Sequence, residues 1–113
     1  MLNLLTVHLE AIFIENNVFR KYEIYVGKDL FETWMITTAN GRIGTSGKLR
    51  NYSFDSFEEL QKKLHQLLKK RQSAHKRIGT DYKVTAFSFA STPIGHQLFH
   101  TLNLNSQKNQ MPL

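Results

Sequence analysis

The apolar and polar positions divide the chain into an extended first half and a helical second half. Between Leu2 and Ile14, Val7, Leu9, Ala11 and Phe13 alternate with His8, Glu10 and Ile12, a period near two that predicts an extended segment. Glu15-Asn16-Asn17 is turn chemistry. A better strand follows over Phe19–Val26, with Tyr22, Ile24 and Val26 on one side and Lys21, Glu23 and Tyr25 on the other. Gly27-Lys28-Asp29 reads as a break. Leu30–Thr38 then reads as a third strand, rich in aromatic and β-branched residues: Phe31, Thr33, Trp34, Ile36, Thr37 and Thr38. Lys48–Phe54 is short and strand-like.

The period changes at Ser56. Phe57, Leu60, Leu64, Leu67 and Leu68 recur at three and four, which predicts a helix with one apolar stripe. Ser56 is the expected N-cap, with Glu59 three residues on to complete a capping box. Glu58 and Glu59 sit in the first turn and Lys69, Lys70 and Arg71 near the far end, each where the helix dipole favours that charge. Ser73–Thr80 reads as a basic loop closed by Gly79, and Tyr82-Lys83-Val84 as a short final strand or a docking segment. Beyond Thr85 the pattern weakens. Pro93, Gly95 and the Asn/Gln-rich stretch Asn103–Gln110 predict a loosely held tail, from which Phe87, Phe89, Leu98 and Phe99 are able to cover part of the core.

Composition refines this picture through charge. The 113 residues carry a net charge of +6, and the cations are segregated. Lys62, Lys63, Lys69, Lys70, Arg71, Lys76 and Arg77 lie between Gln61 and Arg77 without a carboxylate. Arg42, Lys48 and Arg50 lie between Met35 and Phe54, again without one. Such a field attracts nucleic acid or another polyanion, although a lysine-rich helix face also serves solubility. There is no cysteine, so neither disulfides nor thiolate metal sites hold the fold. The first fourteen residues lack the basic start of a signal peptide, and no apolar run is long enough to span a membrane. A soluble, cytoplasmic protein is expected.

The stretch from Asn40 to Arg50 joins these themes. It holds Gly41, Gly44 and Gly47 together with Arg42, Lys48 and Arg50. A loop of this kind brings backbone N–H groups and cations toward an anion, or is simply a hairpin turn whose glycines serve sterics. Its turn has two possible sites, Asn40-Gly41 and Thr45-Ser46-Gly47.

Taken together, the residues resemble the WGR domain. The matching pieces are Phe19-Arg20-Lys21-Tyr22-Glu23-Ile24, Asp29-Leu30-Phe31 with Trp34, Gly41-Arg42-Ile43-Gly44-Thr45 with Gly47, Phe54-Asp55-Ser56 leading into the helix, and a basic stretch ending near Gly79 and Tyr82. Their order resembles the stand-alone bacterial form and covers about residues 19–84. The resemblance implies an α+β module, a twisted antiparallel sheet packed against one amphipathic helix. This agrees with the four or five strands and one capped helix read from the pattern. It places a domain over residues 1–85 and a partly flexible extension over 86–113, and it favours the turn at Thr45-Ser46-Gly47.

In the polymerases that carry this domain, it binds DNA near a break through the motif's Trp and Arg. Carried over, Gly41 and Arg42 stand at two of the three motif positions, and Asn40 stands at the Trp position. Asparagine offers hydrogen bonds but no π-face on which a base or sugar stacks. The expected nucleic-acid contacts are Arg42, Gly41, Asn40, Lys48, Arg50, Lys69, Lys70, Arg71, Lys76 and Arg77, directed at the phosphate backbone of nucleic acid, with DNA favoured. The competing expectation is a protein-interaction or regulatory module, in which Phe31, Tyr25 or Tyr52 forms a partner or self-association surface. An enzyme has least support. Ser46 lacks a His–Asp pair at a recognisable local spacing, His96 and His100 lack a third ligand nearby, and the glycine stretch lacks the Gly-Lys-Ser/Thr ending of a P-loop. Neither a cofactor nor a metal is expected.

Overall fold

The computed structural model describes residues 2–109, with side chains from 3 to 102. Five strands, β1 (Leu2–Phe13), β2 (Val18–Lys28), β3 (Trp34–Arg42), β4 (Lys48–Phe54) and β5 (Lys83–Phe89), form one antiparallel sheet in the order β4-β3-β2-β1-β5. Helices α1 (Phe57–Gln72), α2 (His75–Ile78) and α3 (Pro93–Asn109), with a 3-10 turn at Ile14–Asn16, complete the described residues. The architecture is therefore α+β, as the pattern predicts, but with three helices in place of one.

Alternation decides which face of the sheet is covered. Val7, Leu9, Ile24, Val26 and Ile36 share one face and are fully buried. Against them α1 lays Leu60, Leu64 and Leu68, also fully buried, with Phe57 at the edge. Each such side chain contributes about 1.5–3 kcal/mol of burial. The predicted cap is present: Ser56 Oγ accepts from the Glu59 N–H at 3.2 Å.

Three expectations are corrected. The third strand begins at Trp34 rather than Leu30 and runs on to Arg42. Asp29 is the reason, because its carboxylate accepts from the N–H groups of Phe31 (2.8 Å) and Thr33 (2.9 Å) and folds these residues into a turn. β2 passes through Gly27 to Lys28 without the expected break. The basic loop after α1 contains the short helix α2, ended by Gly79 at φ +80°.

The C-terminal region packs more closely than its sequence predicts. β5 pairs with β1 from Lys83 to Phe89, so the expected boundary after Thr85 falls inside a strand. Pro93 and Gly95 start a helix instead of preventing one. Pro93 occupies the first turn, where its missing N–H costs nothing, and Thr92 Oγ1 accepts from the Gly95 N–H at 3.0 Å. α3 packs beside α1 and buries Leu98 and Leu102 completely. Gln110 and the residues after it lie outside the described residues, as do the side chains of the Asn/Gln-rich stretch before it.

Candidate nucleic-acid interface

The Gly-rich stretch is the β3–β4 hairpin loop. Asn40 and Gly41 lie within β3, paired with Tyr22 and Lys21, so a turn at Asn40-Gly41 is excluded. The tight turn runs from Arg42 to Thr45, whose N–H donates to the Arg42 carbonyl at 3.1 Å, with Gly44 at φ +91°. It begins slightly before the site favoured by resemblance. The glycines meet in space. A Cβ on Gly41 would stand 2.8 Å from Gly47 Cα, and a Cβ on Gly47, at φ +76°, would stand 3.0 Å from the Asn40 carbonyl oxygen. The loop therefore folds flat over the end of β3. This sets the Asn40–Lys48 pair and, with it, the start of β4.

Register then gathers charge. Asn40, Lys48 and Arg50 share the helix-covered face of the sheet with Tyr22 and Thr38. β4 runs away from the hairpin and α1 runs back. Seven strand residues and sixteen helical residues both span about 24 Å, so the last turns of α1 return to the level of Lys48. A cleft of about 310 Å³ results. Lys48 and Arg50 line it from the sheet, and Lys63, Gln66, Lys70 and Arg71 line it from α1, with no carboxylate among its walls. Its inner part is formed by Tyr22, Thr38 and Tyr52.

The acidic residues are placed elsewhere by the same topology. Asp29 and Glu32 lie in the β2–β3 turn and Asp55, Glu58 and Glu59 at the start of α1, all at the far end of the sheet. Glu23 lies on the opposite face, paired with Lys21 at 3.9 Å and accepting from Tyr25 Oη at 3.2 Å. Glu10, on β1 opposite Lys21, Glu15, in the β1–β2 turn, and Asp81, beside His75 at 3.5 Å, are the carboxylates left at the basic end.

Arg42 belongs to a second recess. Its guanidinium donates to Asn17 Oδ1 at 3.0 Å and stacks on Phe19 at 5.0 Å. Gly41, Arg20, Asn17 and Arg77 line the same recess. Arg77 is held by Ser73 Oγ at 2.9 Å and by the Lys70 carbonyl at 3.1 Å, which satisfies the C-terminal end of α1. Of the ten candidates, Asn40, Lys48, Arg50, Lys70 and Arg71 thus line one cleft, Gly41, Arg42 and Arg77 the other, and Lys69 and Lys76 neither. Lys63, whose ammonium lies 4.6 Å from the Tyr52 ring centre, was not among the candidates. Its signal was available: Lys63, Gln66 and Lys70 fall at i, i+3 and i+7 on one helical stripe.

Arg71 was expected on the basic surface, and the structure buries it. It is 8% exposed and lies 4.1 Å from the Tyr22 ring centre and 6.0 Å from that of Tyr82. Burial raises the Tyr22 pKa above its ordinary value near 10, and the Arg71 charge and a hydrogen bond with Thr38 oppose that rise. Among the described residues, no group of three or more His, Cys, Asp or Glu side chains is arranged to hold a metal.

A family model for the WGR domain matches residues 5–87. The chain belongs to the WGR domain family. The match extends beyond the stretch that carries the resemblance at both ends, taking in most of β1 and β5, while α3 lies outside it. WGR domains are, in general, non-catalytic modules of nucleic-acid-binding type. Comparison with curated proteins and with solved structures finds no significant match. No helix among the described residues is long and apolar enough to cross a membrane.

Proposed function

We propose that this WGR domain binds nucleic acid, with DNA the first expectation, through the phosphate backbone and without catalysis. The observation that carries the reading is the carboxylate-free cleft at which Lys48 and Arg50 of β4 meet Lys63, Lys70 and Arg71 of α1. Arg42 extends this surface across the hairpin, and Lys69 and Lys76 add to the field around it. Base readout is minor, because Asn40 has no ring to stack. Engagement of four to six phosphates gives a slope of log affinity against log salt of roughly −4 to −5. A salt titration with duplex, nicked and single-stranded DNA tests this. Absence of binding at about 50 mM salt refutes it. In the same assay Arg42→Ala is expected to weaken binding more than Lys62→Ala. Equal losses would mean diffuse attraction without a site.

A protein-interaction role has one specific observation in its favour. Leu30 is 94% exposed and Phe31 88%, side by side on a turn fixed by Asp29. Two large apolar side chains presented rigidly suit an apolar pocket on a partner. Tyr25 and Tyr52, the other aromatics considered, are half-buried against His8 and Lys63 respectively. Recovery of one protein partner that survives nuclease treatment and is lost with Phe31→Ser would support this role.

A further inference from the structure

We infer that the cleft between the sheet and α1 is a discrete site for a small diphosphate-bearing anion, built on Arg71. The inference concerns part of the surface assigned above but does not require nucleic acid.

Arg71 is the starting point. A guanidinium removed from water ordinarily gains a carboxylate and a full set of hydrogen bonds. Arg71 is more than nine-tenths buried, its Nε has no hydrogen-bond partner, and no ion pair among the described residues includes it. Its favourable contacts are the ring faces of Tyr22 and Tyr82, which orient the planar group without neutralising it. The cleft it lines contains no acidic residue to supply the missing charge. An incoming oxyanion would supply both the charge and the acceptors.

The walls define the anion. Thr38, 2% exposed, and Tyr22, which share a hydrogen bond, form the buried part of the lining, and the exposed Asn40 and Gln66 add amides. Lys48, Arg50, Lys63 and Lys70 bring the cations to five. A single phosphate carries about −1.5 to −2 and offsets fewer than half of them; two linked phosphoryl groups carry roughly twice that and match the cleft better. The volume of about 310 Å³ lies at the lower end of small-molecule pockets. Lysines as mobile point charges around one fixed arginine fork suit phosphoryl oxygens.

Calorimetric titration of the intact chain with pyrophosphate, orthophosphate and sulfate at matched ionic strength tests the site. Saturable one-to-one binding is expected, with pyrophosphate at least about tenfold tighter than either single anion. Arg71→Gln is expected to abolish that preference. Because this variant alters a buried position, Arg50→Gln on the exposed rim serves as the second test, and it should weaken pyrophosphate several-fold while the melting temperature is retained. Lys62→Gln, outside the cleft, should leave binding unchanged. Equal affinity for pyrophosphate and sulfate, no saturable heat, or equal losses in Arg50→Gln and Lys62→Gln would overturn the inference. Duplex DNA titrated against the same proteins separates the two readings: duplex binding without pyrophosphate binding overturns only the small-anion site, and the reverse overturns only the nucleic-acid function.

Discussion

Replacing the two loop glycines of positive φ separates backbone strain from steric contact. Gly44, at φ +91°, has nothing within 4 Å of where a Cβ would stand. Gly44→Ala therefore meets only the left-handed penalty of about 1–2 kcal/mol, partly offset by about 0.4–1 kcal/mol from a stiffer unfolded chain, for a net loss near 1 kcal/mol. Gly47, at φ +76°, carries the same penalty, but its Cβ would stand 3.0, 3.1 and 3.3 Å from the Asn40 O, C and N atoms. Those atoms belong to a paired strand and cannot swing aside as a side chain would. Gly47→Ala is therefore expected to cost on the order of 2–3 kcal/mol. For a domain of this size the two variants should lower the melting temperature by about 4 °C and about 10 °C respectively. The assay is thermal and urea denaturation of both variants beside the parent. Duplex binding gives a second readout: pushing Gly47 from Asn40 disturbs the Asn40–Lys48 pair, so Gly47→Ala should also weaken binding while Gly44→Ala should not. Equal destabilisation by both would refute the argument that close approach to β3, beyond backbone conformation, fixes the glycine at 47.

Other perturbations probe the core and the titratable groups. Leu98→Ala should cost about 2–5 kcal/mol in urea unfolding, as for any fully buried leucine, and a loss below about 1 kcal/mol would mean that α3 is not part of the cooperative fold. Tyr22 holds its proton more tightly folded than unfolded, chiefly because burial disfavours the phenolate. The unfolded chain therefore loses that proton first, and stability that is intact below about pH 10 falls as pH rises further. Melting temperatures between about pH 8 and 11 should fall less steeply for Tyr22→Phe than for the parent. Part of the fall remains in that variant, because Tyr25 is also raised, by burial and then by Glu23.

Local chemistry was legible where it dominates. The alternation of β1 and β2, the Ser56 cap and the leucine stripe of α1 appear in the structure because short-range periodicity and burial agree there. Leu30 and Phe31 were misread as strand because their propensity is extended, whereas the Asp29 carboxylate draws their backbone into a turn. The C-terminal region was legible only in part. A strand near Val84 and a core role for Leu98 were readable, but the full extent of β5 and the helix α3 were not, because β5 pairs with β1 more than seventy residues away and α3 buries its apolar side against α1, β1 and β5 together.

By itself, the sequence determined the strands that lead into the hairpin, the capped helix, the glycine loop and the segregation of cations from carboxylates along the chain. These follow from neighbours within a few residues. Which cations meet was decided only by the tertiary structure. Register places Lys48 and Arg50 on the helix-covered face, and the equal lengths of β4 and α1 bring Lys63, Lys70 and Arg71 back to them. The same return path divides Arg42 from that cleft and buries Arg71 against Tyr22, because a side chain's surroundings depend on segments that sequence spacing does not relate.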